Sequence, residues 1–493
     1  MSAVVVVGGG QHGLIAAAFL AARGRKVVVL EARSTLGGLC GRQHFADGYA
    51  SSGVLRDEGL LDPHVWRLLG KHGLRRRATP WSVVVPRDDG SLVRILDDDV
   101  EGVSDLDRRA YRRLRSFCRR LAPVISGVMT SPAPRKGLKA VATALKVRRL
   151  GRADLLELMR LLPTSAADWL TDTFEDEALR AGLAMPALIG AWTGPRAPWS
   201  AAPLVLGSVL RGERVAGGPA AVIEAAIAAA KKRGVELRTD ARVERIVVEG
   251  GRVRAVTLAD GEQLATDVVI ATTDPRTTLR ALVGIPQLPD ALAEDVRRWR
   301  ARGTTAQLLL ALDGSFVLGE ERVESLRIPA SLDTLERAMD PVRRGRLAER
   351  LALDVHVPSV DDPSLCPEGH AVVSVLAHGV PEALEGGWTD ERRATLVESV
   401  LGQLAEVAPT LPDRIVAHQL MTPADLARDY GLAGGHLHHG EQAPDQLLFM
   451  RPSVEAAHHR TPIAGLFLAG SGCHPGGGLR GTAGRLGAEA VLG

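Results

Sequence analysis

The chain has 493 residues, 45% apolar and 24% charged, which is ordinary for a globular protein of two or more domains with ample core. A net charge of +3 is too small to make the whole surface a nucleic-acid partner, and 3% aromatic residues argue against a large aromatic cage. The four cysteines (Cys40, Cys118, Cys366 and Cys473) are far apart with no CxxC, so neither a dithiol redox centre nor a zinc site is suggested, which fits a reducing cytoplasm.

Val4–Val7 reads as a buried strand and leads into Gly8-Gly9-Gly10-Gln11-His12-Gly13. An Ala/Leu-rich helix follows over Leu14–Ala22, and then a second strand, Lys26–Leu30, ending at Glu31. This order is a dinucleotide fingerprint. Gly8 permits the tight turn, Gly10 lets backbone approach a pyrophosphate, and Gly13 lets helix and strand pack closely. The helix N-terminus aims its unsatisfied N–H groups at the phosphates. Glu31 is placed to accept hydrogen bonds from a ribose diol, and Gly37-Gly38 follows six residues later. His12 is expected to pack near the phosphate loop. The apolar start lacks a basic n-region and is interrupted by glycines, so no signal peptide is expected. No run of about 18 apolar residues is present, so no transmembrane helix is expected either.

Residues 42–60 read as loop, and Val83–Val85 with Leu92–Ile95 read as a hairpin around Asp88-Asp89-Gly90. Residues 108–152 are mostly helical and hold fourteen Lys and Arg with no Asp or Glu. One apolar stripe there is Tyr111, Leu114, Cys118, Leu121 and Ile125; a second is Leu138, Val141, Ala142 and Leu145. The bland reading is a core-facing stripe under solvated charges. The sharper one is a peripheral contact with anionic membrane. A further helix is expected over Ser165–Leu183. After Gly217-Gly218-Pro219 come a helix (Ala220–Arg233), a strand (Val235–Arg238) and a small meander through Val243–Val248, Arg252–Leu258 and Val268–Ile270. The end, Gly465–Leu492, is again strand, Gly-rich turn and helix.

These pieces imply an α/β fold with two interleaved domains. A discontinuous Rossmann-like domain is expected over 1–75, 212–285 and 455–493, and an α+β substrate domain over 76–211 and 286–454. The second Gly-rich turn, Gly470 to Gly481, suits a flavin dinucleotide, whose ribityl chain and ring need a second close backbone approach.

Two stretches carry a resemblance: GGHLHHGEQAPDQLLFMRP (Gly434–Pro452) and GSGCHPGGGLRGTAGR (Gly470–Arg485). With Val4–Gly38, Gly217–Pro219 and Ala271–Pro275, they make the chain resemble FAD-dependent oxidoreductases of the phytoene desaturase and carotenoid isomerase type. Within these it is similar to the pyridine nucleotide-disulfide oxidoreductase domain-containing protein 2 group. The resemblance implies an amine-oxidase-like FAD domain and non-covalent FAD held by Gly8, Gly10, Gly13, Glu31, Ala32, Arg33, Gly37 and Gly38. It implies Val243 near the adenine, and Gly470, Ser471, Gly478 and Leu479 at the ribityl chain and ring. Related amine oxidases carry Arg directly after the glycine pair; here Leu39 stands there, followed by Cys40.

The reaction this implies is removal of hydride from a largely apolar organic substrate to form a double bond, with oxygen or a quinone as electron acceptor. The alternatives are a C–N flavin oxidase acting on amines, a redox-neutral polyene isomerase, and a FAD-bearing scaffold without catalysis. The flavin carries the chemistry, so His474, His436 and His439 are only weak acid–base candidates. His436, His438, His439 and Glu441 have metal-ligand types, but adjacent histidines in a loop favour a polar cover over the substrate. Arg451 is expected to anchor that loop by a carboxylate pair, and Cys473 to be packing rather than a covalent flavin link. The expected location is cytoplasmic, with membrane contact through 108–152 open and no nucleic acid or metal.

Overall fold

A computed structural model of the chain describes residues 3–57, 59–133, 150–328 and 331–493. Its centre is a five-stranded sheet in the order Leu466–Leu468, Val269–Ala271, Val4–Val7, Val27–Leu30, Glu236–Arg238, parallel throughout. Both faces are covered, which is why the first strand is an unbroken valine run. Val4 and Val6 pack with Ala16, Ala17, Ala230 and Ala488 on the helical face. Val5 and Val7 pack with Ile246, Val253 and Val256 of the antiparallel meander on the other. The helix Gln11–Ala21 is buried nearly all round, since the helices Gly218–Lys231 and Thr482–Leu492 flank it. Small residues there let the three backbones approach.

A second, eight-stranded sheet runs Ile415–Met421, Thr305–Leu312, Ala371–His378, Ala352–His356, Ser325–Ile328, Ser82–Pro86, Leu92–Leu96, Val100–Glu101. Every pairing is antiparallel except Ser325–Ile328 with Ser82–Pro86. Alternation divides its residues. Leu308, Leu310, Leu326, Leu353, Val355, Val373 and Val375 meet Leu396, Val400 and Leu404 of the helix Asp390–Val407 in one core. Gln307, Arg327, Asp354 and Leu376 form a cross-strand row on the opposite face.

Helices Asp105–Thr130, Gly151–Leu161, Ala166–Thr173, Glu177–Ala184 and Ala201–Leu210 cover that opposite side. In the first of these the stripe Tyr111, Leu114, Cys118 and Leu121 faces the core. Its arginines pair with acids: Arg108 and Arg112 with Asp99 at 2.6 and 2.7 Å, Arg119 with Asp98 at 2.7 Å, and Arg120 with Asp154 at 2.6 Å. Residues 108–133 therefore show the core-facing arrangement. The second stripe, Leu138 to Leu145, lies outside the described residues.

Two local expectations are corrected. The single helix over Ser165–Leu183 is two helices, because the Asp107 carboxylate accepts the Glu175 and Asp176 N–H groups (2.8 and 2.9 Å) and Asp176 caps a new helix through the Leu179 N–H at 2.8 Å. The segment 42–60 contains a short hairpin, Gln43–Ala46 with Tyr49–Ser51, turned at Asp47-Gly48. Among the described residues no helix is long and apolar enough to cross a membrane.

The close helix packing gives a stability prediction. A β-carbon at Gly484 would overlap the His12 carbonyl, whereas one at Gly402, on the exposed side of Asp390–Val407, meets nothing within 4 Å. Gly484→Ala is expected to destabilise by about 1–3 kcal/mol. Gly402→Ala is expected to stabilise by roughly 0.5–1 kcal/mol. Chemical denaturation of the two variants against the parent checks both signs.

Candidate active site

The first turn is built by backbone contacts. Gly8 has φ +102°, and its N–H donates to the Leu30 carbonyl at 2.8 Å. A β-carbon at Gly13 would overlap the Gly8 carbonyl oxygen, so helix and strand touch there. At Gly10 the space is open, the nearest atom to a β-carbon being Gly38 Cα at 3.9 Å. No side chain caps the helix and its first turn holds no acid, so its N–H groups remain directed at the cleft. Gly37, at φ +115°, donates its N–H to the Gly9 carbonyl at 2.8 Å and brings the glycine pair beside Gly10.

Glu31 does more than await a ribose. Its Oε2 accepts the Gly9 N–H at 2.7 Å and its Oε1 the Arg33 N–H at 2.9 Å, so the carboxylate holds the loop while each oxygen keeps a further lone pair. A cleft of about 1480 Å³ opens along this loop. Its wall includes Gly8, Gly10, Glu31, Ala32, Arg33, Gly37, Gly38, Val243 and Ser471. Tyr430 closes one end, with the Arg33 guanidinium 4.1 Å over its ring. Leu39, Cys40, Leu55 and His439 lie among the rest of the wall. Gly13 and Gly470 are off the wall. Gly470 is needed because a β-carbon there would overlap the Thr272 carbonyl oxygen.

The second turn is tied to the first by two helix residues. Gln11 Nε2 donates to the Gly478 carbonyl at 2.9 Å, and the His12 ring spans Ser471 Oγ at 3.2 Å and the Gly484 N–H at 3.3 Å. Burial holds His12 neutral, its pKa pulled down to about 3.

Arg451 corrects the expected carboxylate pair. Its guanidinium is buried and donates to five carbonyls: Ser471 (3.0 Å), Glu441 (3.1 Å), Gln446 (2.9 Å), His438 (2.5 Å) and Gly440 (2.9 Å). It lies 5.2 Å over the Trp299 ring, and burial pulls its pKa down to about 10. The nearby Glu441 carboxylate pairs with Arg302 at 2.5 Å and Arg300 at 3.4 Å.

The histidines separate. His436 lines neither cavity: it meets the Gly190 carbonyl at 3.2 Å and accepts the His438 and Gly440 N–H groups at 3.1 and 3.4 Å. His474 also lies off both cavities, 3.0 Å from the Ser131 carbonyl, where it fastens the turn. His439 is on the cleft wall, its Nδ1 buried without a partner, and its pKa is lowered to about 4 by burial against the opposing pull of Asp274. His438, absent from the sequence-based acid–base candidates, lines a second cavity. Its Nδ1 is buried without a partner, and burial, His436 and Arg451 hold its pKa well below 6.5.

That second cavity lies against Gly476–Arg480 and contains Gly478 and Leu479 in its wall. Leu55 is shared with the first cleft, so the two flank one residue. The rest is mostly aliphatic: Leu60, Met129, Ile189, Leu206, Leu376, Leu437, Leu447 and Leu448, with Arg56, Gln442, Arg451 and Arg480. Among the described residues its lining holds no Asp or Glu and no Phe, Tyr or Trp. Sequence reasoning gave no signal for Leu55 or Arg56, which are isolated loop residues, nor for the Arg33–Tyr430 pair.

The first cleft fits FAD. It joins an open glycine at an uncapped helix N-terminus, a carboxylate at the strand end, and at the second turn a buried Gln11 Oε1 with no protein partner. These suit a pyrophosphate, a ribose and a ribityl hydroxyl respectively. Cys473 lines neither cavity, and burial raises its thiol to about 12, so it is not a nucleophile toward a flavin. Among the described residues no group of three or more His, Cys, Asp or Glu is placed to hold a metal.

Comparison with known proteins agrees with this geometry. The family model for flavin containing amine oxidoreductases matches residues 13–492. The mouse pyridine nucleotide-disulfide oxidoreductase domain-containing protein 2 is 30% identical over 541 aligned positions, covering 99% of this chain and 93% of its own. The hydroxyneurosporene desaturase of Cereibacter sphaeroides is 29% identical over 518 positions, covering 99% and 97%. Among solved structures, wild-type putrescine oxidase bound to putrescine superposes with a TM-score of 0.63 at 16% identity, covering 100% of this chain and 98% of that one. The chain belongs to the flavin containing amine oxidoreductase family, as an FAD-dependent oxidoreductase of Rossmann-like α/β fold.

Proposed function

We propose that the chain is a dehydrogenase that forms a carbon–carbon double bond in a largely apolar organic substrate bound between Leu55 and the Gly476–Arg480 turn. The observation that carries this reading is the aliphatic lining of that cavity. An alkylamine is cationic at neutral pH and calls for a carboxylate or an aromatic face. This lining offers neither among the described residues and presents arginines instead. The desaturase relative supports the same reaction class; the putrescine oxidase neighbour, alike in fold only, supports C–N oxidation no more strongly.

Bound FAD supplies the oxidant, taking two electrons and one hydrogen from the substrate, with oxygen or a quinone restoring it. The chain's own residues do the rest. Leu206, Leu376, Leu437 and Leu479 exclude water and hold the carbon chain by dispersion. The remaining hydrogen leaves as a proton, and the His438 ring is the neutral base on that wall. In this reading 76–211 and 286–454 form the substrate domain and the three other segments the FAD domain.

Two outcomes follow. Purified protein releases FAD on denaturation, and its anaerobic absorbance bleaches with an apolar compound from its own cells, which mass spectrometry finds lighter by two hydrogens. An altered compound of unchanged mass would replace dehydrogenation with isomerisation, and an amine that yields hydrogen peroxide would replace it with C–N oxidation. His438→Gln is expected to slow bleaching by about a hundredfold with FAD content unchanged. With its pKa depressed, His438 is already unprotonated above 6.5, so the parent rate is flat between about pH 6.5 and 8. A rate climbing through that range would mean an unperturbed group is the base.

A further inference from the structure

The aliphatic cavity does not end at its own walls. Arg56, Pro186 and Gly207 also line a neighbouring chamber whose chemistry is different. Gly207 sits within the helix Ala201–Leu210, and a β-carbon there would meet nothing within 4 Å, so the junction is open at that point. The same helix turns Leu206 to the aliphatic side and Leu204, Ser208 and, just past its end, Arg211 to the other.

Four guanidinium groups, Arg56, Arg211, Arg214 and Arg327, line this chamber against two carboxylates, Asp57 and Asp354. Asp57 is engaged by backbone, accepting the N–H groups of Gly59 at 2.9 Å and of Val215, and burial raises its pKa. Asp354 is divided between two cations, Arg56 at 2.5 Å and Arg327 at 3.7 Å. Arg214 is met from behind by Glu324 at 2.5 Å and Asp361 at 3.3 Å, which Arg77 also uses. Arg327 is 5% exposed; one of its terminal nitrogens donates to the Gly182 carbonyl at 2.9 Å, and its buried Nε reaches no hydrogen-bond acceptor. Arg211 and Arg327 lie over the Trp81 ring, at 3.7 and 5.8 Å from its centroid. A guanidinium laid on a ring presents its N–H edge, the geometry that takes a carboxylate in two parallel bonds. Arg214 and Arg327 are buried and already paired, Arg56 and Arg211 are half-buried, and a carboxylate entering the chamber gains charge-assisted hydrogen bonds from guanidinium edges on its wall.

We propose that this chamber binds the carboxylate end of an amphipathic substrate whose apolar chain passes Gly207 and lies beside the flavin turn. The inference rests on the reading of the aliphatic cavity as the substrate site, and it narrows the substrate class to long-chain carboxylic acids.

The test is a titration of the FAD-loaded protein with dodecanoate, 1-dodecanol and dodecylamine, reading heat of binding and the flavin absorbance band together. Dodecanoate is expected to bind about tenfold or more tightly than the alcohol, with the amine weakest. Arg211→Met brings the acid to the level of the alcohol, and Arg211→Glu moves the preference to the amine. Gly207→Phe, which places a bulky side chain at the junction where a β-carbon meets nothing within 4 Å, removes the acid's advantage through a separate site. Each variant is compared at equal FAD content. Equal binding of acid and alcohol, or an acid preference indifferent to all three substitutions, overturns the anion chamber. Should acid and alcohol bind equally while both shift the flavin band, the chamber falls and the aliphatic substrate site stands. An acid preference that follows Arg211 without any flavin shift supports the chamber and removes the aliphatic cavity from the reaction.

Discussion

The site depends on a place where backbones meet without side chains between them. The helix after Gly10 touches the first turn at Gly13, where a β-carbon would overlap the Gly8 carbonyl, and touches the last helix at Gly484, where one would overlap the His12 carbonyl. Gly470 approaches the Thr272 carbonyl in the same way. Those contacts fix where the first strand, the Val269–Ala271 strand and the C-terminal turn stand relative to one another. With the helix axis fixed, its uncapped N–H groups face the cleft, and Gln11 and His12 reach the second turn with short side chains. Ends of the chain more than four hundred residues apart thus become two ends of one binding cleft.

Arg451 supplies the second constraint. A buried guanidinium facing only carbonyls is a poor source of stability by itself, because its desolvation is repaid by dipoles rather than by a charge. What it provides is order: the carbonyls of residues 438, 440, 441, 446 and 471 can satisfy one cation only when the His436–Arg451 loop and the flavin turn are held together. Its charge also acts on the histidines around it. Burial is the larger cause of their low basicity, and Arg451 adds to it at His436, His438 and His439. The group that closes the loop also keeps the rings neutral.

What the sequence made legible follows from the range of each interaction. Gly8, Gly13 and Glu31 were readable because strand, turn and helix are contiguous and each glycine answers a local demand. The meander and the hairpin at Asp88-Asp89-Gly90 were readable from alternation and turn chemistry. The break in the helix over Ser165–Leu183 was not, since Asp107, nearly seventy residues upstream, takes the two N–H groups that would have continued it. Nor was the separation of His436 from His438. Two residues apart in a loop, both lie against Gly190, but His436 meets its carbonyl through Nε2 while His438 turns to Gly477. The Arg451 partners were misjudged for a related reason: a carboxylate pair was expected, but the nearby Glu441 is held by Arg302 and the guanidinium faces carbonyls instead.

The division between the two sheets explains how one fold serves relatives named for desaturation and a neighbour named for putrescine oxidation at 16% identity. The parallel sheet is buried on both faces, and its contribution to the cofactor cleft is largely backbone, so its glycines and valines carry no information about substrate. The antiparallel sheet has, by its period of two, a second face that its main core does not use. Arg327, Asp354, Leu376 and Gln307 lie side by side on that face, while Leu326, Leu353 and Val375 behind them hold the core. Residues on the cavity face can change charge or size without disturbing those behind, because adjacent positions point to opposite sides. In this chain that face meets an aliphatic cavity through Leu376 and an arginine-lined one through Arg327 and Asp354. On the proposed reading this row contributes side chains to both chambers, whereas the parallel sheet contributes backbone to the cofactor cleft.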